Sequence, residues 1–221
     1  MTGLTTLLKE GLKQVGKKTT TKVIPEASQK TQLGTTTIPT YKKAEKIFKE
    51  DNIKGNTLDF GAGRGLGAKE IKADTFEPFP RENFKPNYTS SLDIPTESYN
   101  KVTSLNVLNV LPKSERRKAV LEIARVLKPK GSAIISTRGS DVLAAKGVKG
   151  NEPMSIILDD GRFQKGFTTK ELIEEIRNIL GSNFIIESVS GIGKAAVKIT
   201  KRKIGGMVMR SDNYNTQRAI W

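Results

Sequence analysis

Between Leu58 and Gly67 the chain reads Leu-Asp-Phe-Gly-Ala-Gly-Arg-Gly-Leu-Gly. A short apolar strand ends there in glycines, and a helix should follow. Glycine lets backbone approach a ligand closely, and a helix start offers free N–H groups, so this spacing suits a bound nucleotide-like group. Two familiar loops do not fit. The dinucleotide pattern G-x-G-x-x-G fails because Leu66 stands at its third glycine. The P-loop pattern has no match: Gly193-Lys194 is followed by Ala195 and has Ser188 where the first glycine should be. What remains is D-x-G-x-G-x-G, headed by Asp59. Glu77, 18 residues later, closes the next expected strand. A carboxylate at such a strand end can accept hydrogen bonds from both hydroxyls of a ribose. Asp93, in Ser-Ser-Leu-Asp-Ile-Pro, either serves the same ligand or caps a turn.

The elements that must position these residues alternate. Residues 39–50 have the spacing of a helix, with Thr40 as its N-cap and Ala44, Ile47 and Phe48 on one face. Strands are expected over 57–60, 75–77, 101–105 and 132–137, the second stopped by Pro78 and Pro80. Helices are expected over 68–72, over 114–127 with Ser114 as cap, and over 168–180 with Thr168 or Thr169 as cap. Pro129-Lys130-Gly131 is the turn after the middle helix, and 184–189 with 195–200 form a strand pair. Alternation followed by two consecutive strands predicts an α/β fold, doubly wound and mainly parallel, with an antiparallel last strand.

Composition narrows the chemistry. The chain of 221 residues has no cysteine and no histidine. Disulfides, thiolate or imidazole metal sites, cysteine nucleophiles and a Ser-His-Asp triad are therefore excluded. Mean hydropathy is −0.41, and no run approaches the ~18 apolar residues of a membrane-spanning helix. The N-terminus has no signal-like apolar stretch, so the expected setting is the cytoplasm. Net charge is +15, with +6 in residues 1–55, +6 in 56–150 and +3 in 151–221. Such a field attracts polyanions, which makes nucleic acid a candidate partner, and it also serves plain solubility. The basic clusters at 42–43, 116–118 and 201–203 offer phosphate contacts.

The runs LDFGAGRG, TFEPFP, SLDIPTESYNKVTSLNVLNVLP and EIARVLKPKGSAIIST occur in this order over residues 56–137. Together they resemble a class I S-adenosylmethionine-dependent methyltransferase. FEPFP with SLNVLNVLP is similar to a methyltransferase-like branch of phages and mobile elements. The resemblance implies a Rossmann-like, seven-stranded sheet and S-adenosyl-L-methionine as cofactor. It implies that Gly61, Gly63 and Gly65 lie under the cofactor and that Asp59 orients the loop or the cofactor ammonium. It also implies that Glu77 takes the ribose hydroxyls, that Phe76 or Pro78 flanks the adenine, and that Asp93 or the Ile94 backbone reads the adenine edge. Asn106, after the family's fourth strand, stands where the methyl group would face the acceptor.

Methyl transfer from a sulfonium needs alignment more than acid–base groups, so a chain without histidine or cysteine can perform it. Asn106-Val-Leu-Asn109 replaces the [DNS]-P-P-[YFW] motif of common DNA amino-methyltransferases, and the missing cysteine excludes the C5-cytosine class. Asn106, Asn109 and Arg138, with Asp141 nearby, are the candidate polar groups at the acceptor mouth. Residues 138–167 read as an inserted substrate lid with a hairpin at Asp159-Asp160-Gly161. Residues 1–37 read as a flexible basic arm, 38–203 as the methyltransferase-like domain, and 204–221 as a basic tail carrying Tyr214 and Trp221. Two function classes stay open: an active methyltransferase, or an inactive methyltransferase-like module that binds cofactor, nucleic acid or a protein partner.

Overall fold

The computed structural model describes residues 38–203; the expected arm and tail lie outside the described residues. In chain order the elements are α1 (Ile38–Glu50), β1 (Thr57–Phe60), α2 (Leu66–Ile71), β2 (Asp74–Phe76), β3 (Tyr99–Leu105), α3 (Lys113–Val126), β4 (Leu127–Thr137), β5 (Gly147–Lys149), β6 (Ser155–Leu158), β7 (Phe163–Lys165), α4 (Thr169–Leu180), β8 (Phe184–Ser188) and β9 (Ala195–Lys201).

The central sheet has the order β2-β1-β3-β4-β9-β8. β1, β2, β3 and β4 are parallel, and β9 runs antiparallel to both β4 and β8. This is the α/β arrangement expected, with six strands where seven were anticipated. Beside β2 only a single parallel bridge forms, between Phe76 and Tyr88. Tyr88 donates its N–H to Thr75 O at 3.0 Å and accepts from Glu77 N at 3.1 Å. Pro78, Pro80 and Pro86 lack N–H donors, so the segment between cannot extend that pairing.

Three local expectations are corrected. Thr40 lies inside α1, which begins at Ile38. Pro112, not Ser114, caps α3, since its fixed φ suits a helix entry. The Pro129-Lys130-Gly131 turn is an irregularity within one long strand: Leu127 pairs with Tyr99, Ser132 with Lys101, and Lys130 takes φ +65° between them. The entry to α4 follows its sequence signal. Thr168 Oγ1 accepts from Glu171 N at 3.2 Å, and Glu171 Oε2 accepts from Thr168 N at 2.9 Å, a reciprocal capping box.

Alternation along the strands divides the core. Val102, Ala133, Ile135, Val197 and Ile199 face the side covered by α3 and α4. Leu105, Ile134 and Ala196 face Tyr41, Ala44 and Phe48 of α1. Residues 138–167 form a separate antiparallel sheet, β5-β6-β7, with Gly161 at φ +82° in the β6–β7 hairpin. β7 packs on the turn Leu108–Val110 that follows β3.

Arg116 of α3, fully buried, ties that sheet down. Its guanidinium donates to Glu175 Oε1 of α4 at 2.6 Å, to Leu111 O at 2.8 Å and to both Glu152 oxygens, and lies 5.3 Å from the Phe167 ring centre.

Candidate functional site

The chain passes from β1 outward to β2 and then back across β1 to β3, so strand order reverses between β1 and β3. Open α/β sheets bind ligands at the carboxyl ends of the strands beside such a reversal. The glycine loop stands there. Gly61, Gly63 and Gly65 all adopt positive φ, at +83°, +59° and +71°. A Cβ on Gly61 would sit 2.5 Å from Val107 Cγ2, and one on Gly65 would enter the Phe84 ring. Both positions therefore require glycine, for space as well as for conformation.

Glu77 braces this loop. One carboxylate oxygen accepts from Gly63 N at 2.7 Å and the other from Phe79 N at 3.1 Å. Burial raises the Glu77 pKa, and these two N–H donors work against the rise. Each oxygen keeps lone-pair capacity for a further donor. Phe76 turns inward, packed on Phe60 with ring centres 4.7 Å apart, which leaves Pro78 and Phe79 as the half-exposed neighbours of Glu77.

Asp59 is fully buried at the reversal. Its Oδ1 accepts from Thr103 Oγ1 of β3 at 2.9 Å, and its Oδ2 has no hydrogen-bond partner. Burial pushes its pKa up to about 7; the Thr103 and Tyr41 hydroxyls oppose the rise, and the nearby Glu77 charge adds to it. Tyr41 is the site residue that sequence reasoning missed. Its ring occupies the space a Cβ on Gly67 would need, and burial together with the Asp59 charge holds its hydroxyl well above the usual phenol range. The available signal was the spacing 41, 44, 48, which puts Tyr41 on the buried face with Ala44 and Phe48.

The segment beyond β2 is held by another residue not anticipated. Arg125, largely buried in α3, donates to Ser91 O and Ile94 O, each at 2.8 Å, and to Thr96 Oγ1 at 3.1 Å. This fixes the turn bearing Asp93, which is exposed, and Ile94, which is buried.

Asn106 follows β3 at φ +60°, with its N–H on Ser136 O at 2.9 Å. Asn109 is buried and its Oδ1 has no partner. Arg138 is committed to the inserted segment: it bonds Asp141 Oδ2 at 2.8 and 3.0 Å and Gln164 Oε1 at 3.3 Å. Burial works to raise the Asp141 carboxyl, but the Arg138 guanidinium and the Gly139 N–H together hold it below its usual range.

The basic clusters are partly spent inside the fold. Arg116 is buried among carboxylates, as is Lys201, which donates to Ala124 O and Leu127 O and pairs with Glu97 at 2.9 Å. Lys42 pairs with Glu70 at 3.2 Å. Arg116 and Lys201 are therefore corrected from free phosphate contacts to internal partners, whereas Lys42 stays at the surface in an exposed ion pair.

Among the described residues, the buried side-chain atoms without a partner are Asp59 Oδ2, Ser104 Oγ, Asn109 Oδ1, Ser136 Oγ and Thr137 Oγ1. All five lie at the carboxyl ends of β1, β3 and β4 or in the turn after β3. Buried polar atoms are normally paired, so their concentration at one edge marks a place built for a polar ligand. A ligand with a positively charged group and several hydroxyls fits Asp59, Glu77 and the glycine loop.

The match to known proteins covers the same part of the chain. Residues 58–135 match the family described as "Methyltransferase domain". No curated protein matches. Three solved structures are similar in fold. One is 1,6-didemethyltoxoflavin-N1-methyltransferase of Burkholderia thailandensis, solved with bound 1,6-didemethyltoxoflavin and S-adenosylhomocysteine: 16% identity, TM-score 0.53, 75% of this chain and 80% of that one. Another is an S-adenosylmethionine-bound amino pentose methyltransferase of Micromonospora echinaspora: 14% identity, TM-score 0.53, covering 74% and 90%. The third is an S-adenosylmethionine-dependent methyltransferase of Clostridium acetobutylicum: 11% identity, TM-score 0.54, covering 76% and 92%. At these identities the likeness is one of fold.

Proposed function

We propose that this chain, whose residues 58–135 match a methyltransferase domain, is a class I S-adenosylmethionine-dependent methyltransferase, an active enzyme that transfers a methyl group to an acceptor held at the carboxyl edge of its sheet. The observation that carries this reading is the braced glycine loop beside a buried, half-unpartnered Asp59.

S-adenosylmethionine, when bound, supplies an electrophilic methyl group on a sulfonium. The residues have separable tasks. Gly61, Gly63 and Gly65 give the backbone its close approach. Glu77 holds Gly63 in place and offers its spare lone pairs to ribose hydroxyls. Asp59 supplies negative charge for the cationic end of the cofactor. The Asp93–Ile94 turn, fixed by Arg125, borders the adenine, with Pro78 on the other side. Asn106 and Asn109 face the acceptor, and the inserted sheet acts as a lid that excludes water while the acceptor is aligned. Arg138 positions that lid.

The finer reading of the acceptor is a nucleic acid, supported by the net charge of +15. Titration calorimetry with S-adenosylmethionine and S-adenosylhomocysteine tests the cofactor site, and absence of heat with a folded protein overturns the reading. Tritiated-methyl transfer into DNA, RNA, protein and small-molecule pools then identifies the acceptor. Tight binding with no transfer into any pool would leave a cofactor-binding module instead.

A further inference from the structure

Four separate chain segments that adjoin or follow the carboxyl ends of the strands carry unneutralised cations, with β5 the outer strand of the inserted sheet. Lys43 comes from α1, Arg64 from the glycine loop, Lys146 and Lys149 from the inserted sheet, and Lys194 from the β8–β9 hairpin. All five are exposed. The Lys43 ammonium lies against Gly191 of that hairpin, and the Lys194 side chain lies against Gly139 just past β4. Both therefore border the end of β4 rather than projecting elsewhere.

The carboxylates nearby are mostly occupied. Asp141 pairs with Arg138 at 2.8 Å, Glu70 with Lys42 at 3.2 Å, Asp160 with Arg162 at 2.8 Å, and Glu152 with buried Arg116. Glu82, Asp93 and Asp159 are the exposed acids left around these segments, and Lys85 stands three residues from Glu82. Leu143 and Val148, about half-exposed, sit among the inserted lysines.

A small anionic metabolite would need its cations converging on one point. Here they are distributed around the rim and interleaved with apolar side chains, which suits an extended polyanion that also carries apolar faces. We propose that a nucleic-acid strand docks on this rim by its phosphates, through Lys43, Arg64, Lys146, Lys149 and Lys194, and presents its methyl-accepting base to the site. The proposal rests on the methyltransferase reading for what happens at the edge, while the docking itself is measurable without turnover.

The test uses the full chain and four fluorescent probes of ~20 nucleotides: single-stranded DNA, single-stranded RNA and the two duplexes, at ~50 and ~200 mM salt. One triple variant removes rim charge: Lys146→Ala, Lys149→Ala and Lys194→Ala. A matched triple removes the same charge from the opposite, amino edge of the sheet: Lys49→Ala, Lys54→Ala and Lys203→Ala. The rim triple should weaken binding by about tenfold or more at the lower salt. It should also make the log–log salt dependence shallower by about 2 on a single strand, at ~0.7 per lost phosphate contact. The amino-edge triple should change affinity by less than about threefold. Equal losses from both triples, or no binding of any probe by the unaltered chain at ~50 mM salt, would overturn the proposal. Calorimetry with S-adenosylmethionine on the same preparations reports separately on the cofactor site and should be unchanged in both triples.

Discussion

The Glu77 carboxylate accepts the Gly63 N–H at 2.7 Å, so the end of β2 holds the loop that follows β1. The contact spans 14 residues and fixes a glycine at positive φ. Glu77→Ala should loosen the loop and remove a charged acceptor, weakening cofactor binding by about 1–3 kcal/mol. Glu77→Gln keeps an acceptor oxygen and should lose less. Calorimetry on both variants ranks them, and equal affinity of Glu77→Ala and the parent protein would contradict the bracing role.

If Asp59 faces the cofactor as proposed, cofactor binding should depend on pH. Its folded pKa of about 7 stands above the ordinary aspartate value of 3.8, so the folded state binds the proton more tightly than the unfolded one. The stability it contributes is therefore full below the unfolded pKa and is lost as pH rises toward 7. Unfolding midpoints of the free protein should fall over that window, and Asp59→Asn should flatten the fall. A cationic cofactor favours the ionised carboxylate, so binding should strengthen from pH 5 to 8 and release protons, seen as buffer-dependent calorimetric heats.

Tyr41 should be visible through the same titration. Its hydroxyl opposes the rise of the Asp59 pKa. Tyr41→Phe keeps the ring over Gly67 and should move the pH midpoint of cofactor binding upward. Tyr41→Ala also removes buried ring packing and should cost about 3–5 kcal/mol in chemical unfolding. An unmoved midpoint in Tyr41→Phe would separate the hydroxyl from Asp59.

The buried Arg116 should dominate the stability of the inserted sheet. Arg116→Met leaves Glu152 and Glu175 facing each other without their cation and should cost about 3–5 kcal/mol. Adding Glu152→Gln should recover part of that loss. Hydrogen exchange over residues 147–165 should rise in the single variant more than in β3 or β4. Uniform exchange across both regions would show that the sheet does not open separately.

Gly61→Ala tests the space under the loop. The added methyl would meet Val107 and adopt an unfavourable φ, so cofactor binding should fall more than overall stability. The double variant Gly61→Ala with Val107→Ala should restore part of the binding, because the clash is with a side chain.

Much of this protein is legible in its sequence because the signals are local. A glycine run after an apolar strand, a Thr168–Glu171 capping box and an Asp-Asp-Gly hairpin each act within a few residues, and each forms where its pattern places it. The fold class follows from their alternation. What only the tertiary structure decided is which side chains remain free. Arg116 and Lys201 read as phosphate contacts, and Arg138 as an acceptor-facing group, until α4, the inserted sheet and the end of α3 supply partners from 77 residues away or less. Tyr41 reads as a helix-face residue until α1 folds over Gly67 and meets Asp59. The seventh strand is lost to prolines that a pattern of alternation does not weigh. Charge, burial and hydrogen bonding are properties of neighbours in space, and the chain acquires those neighbours only when the sheet is assembled.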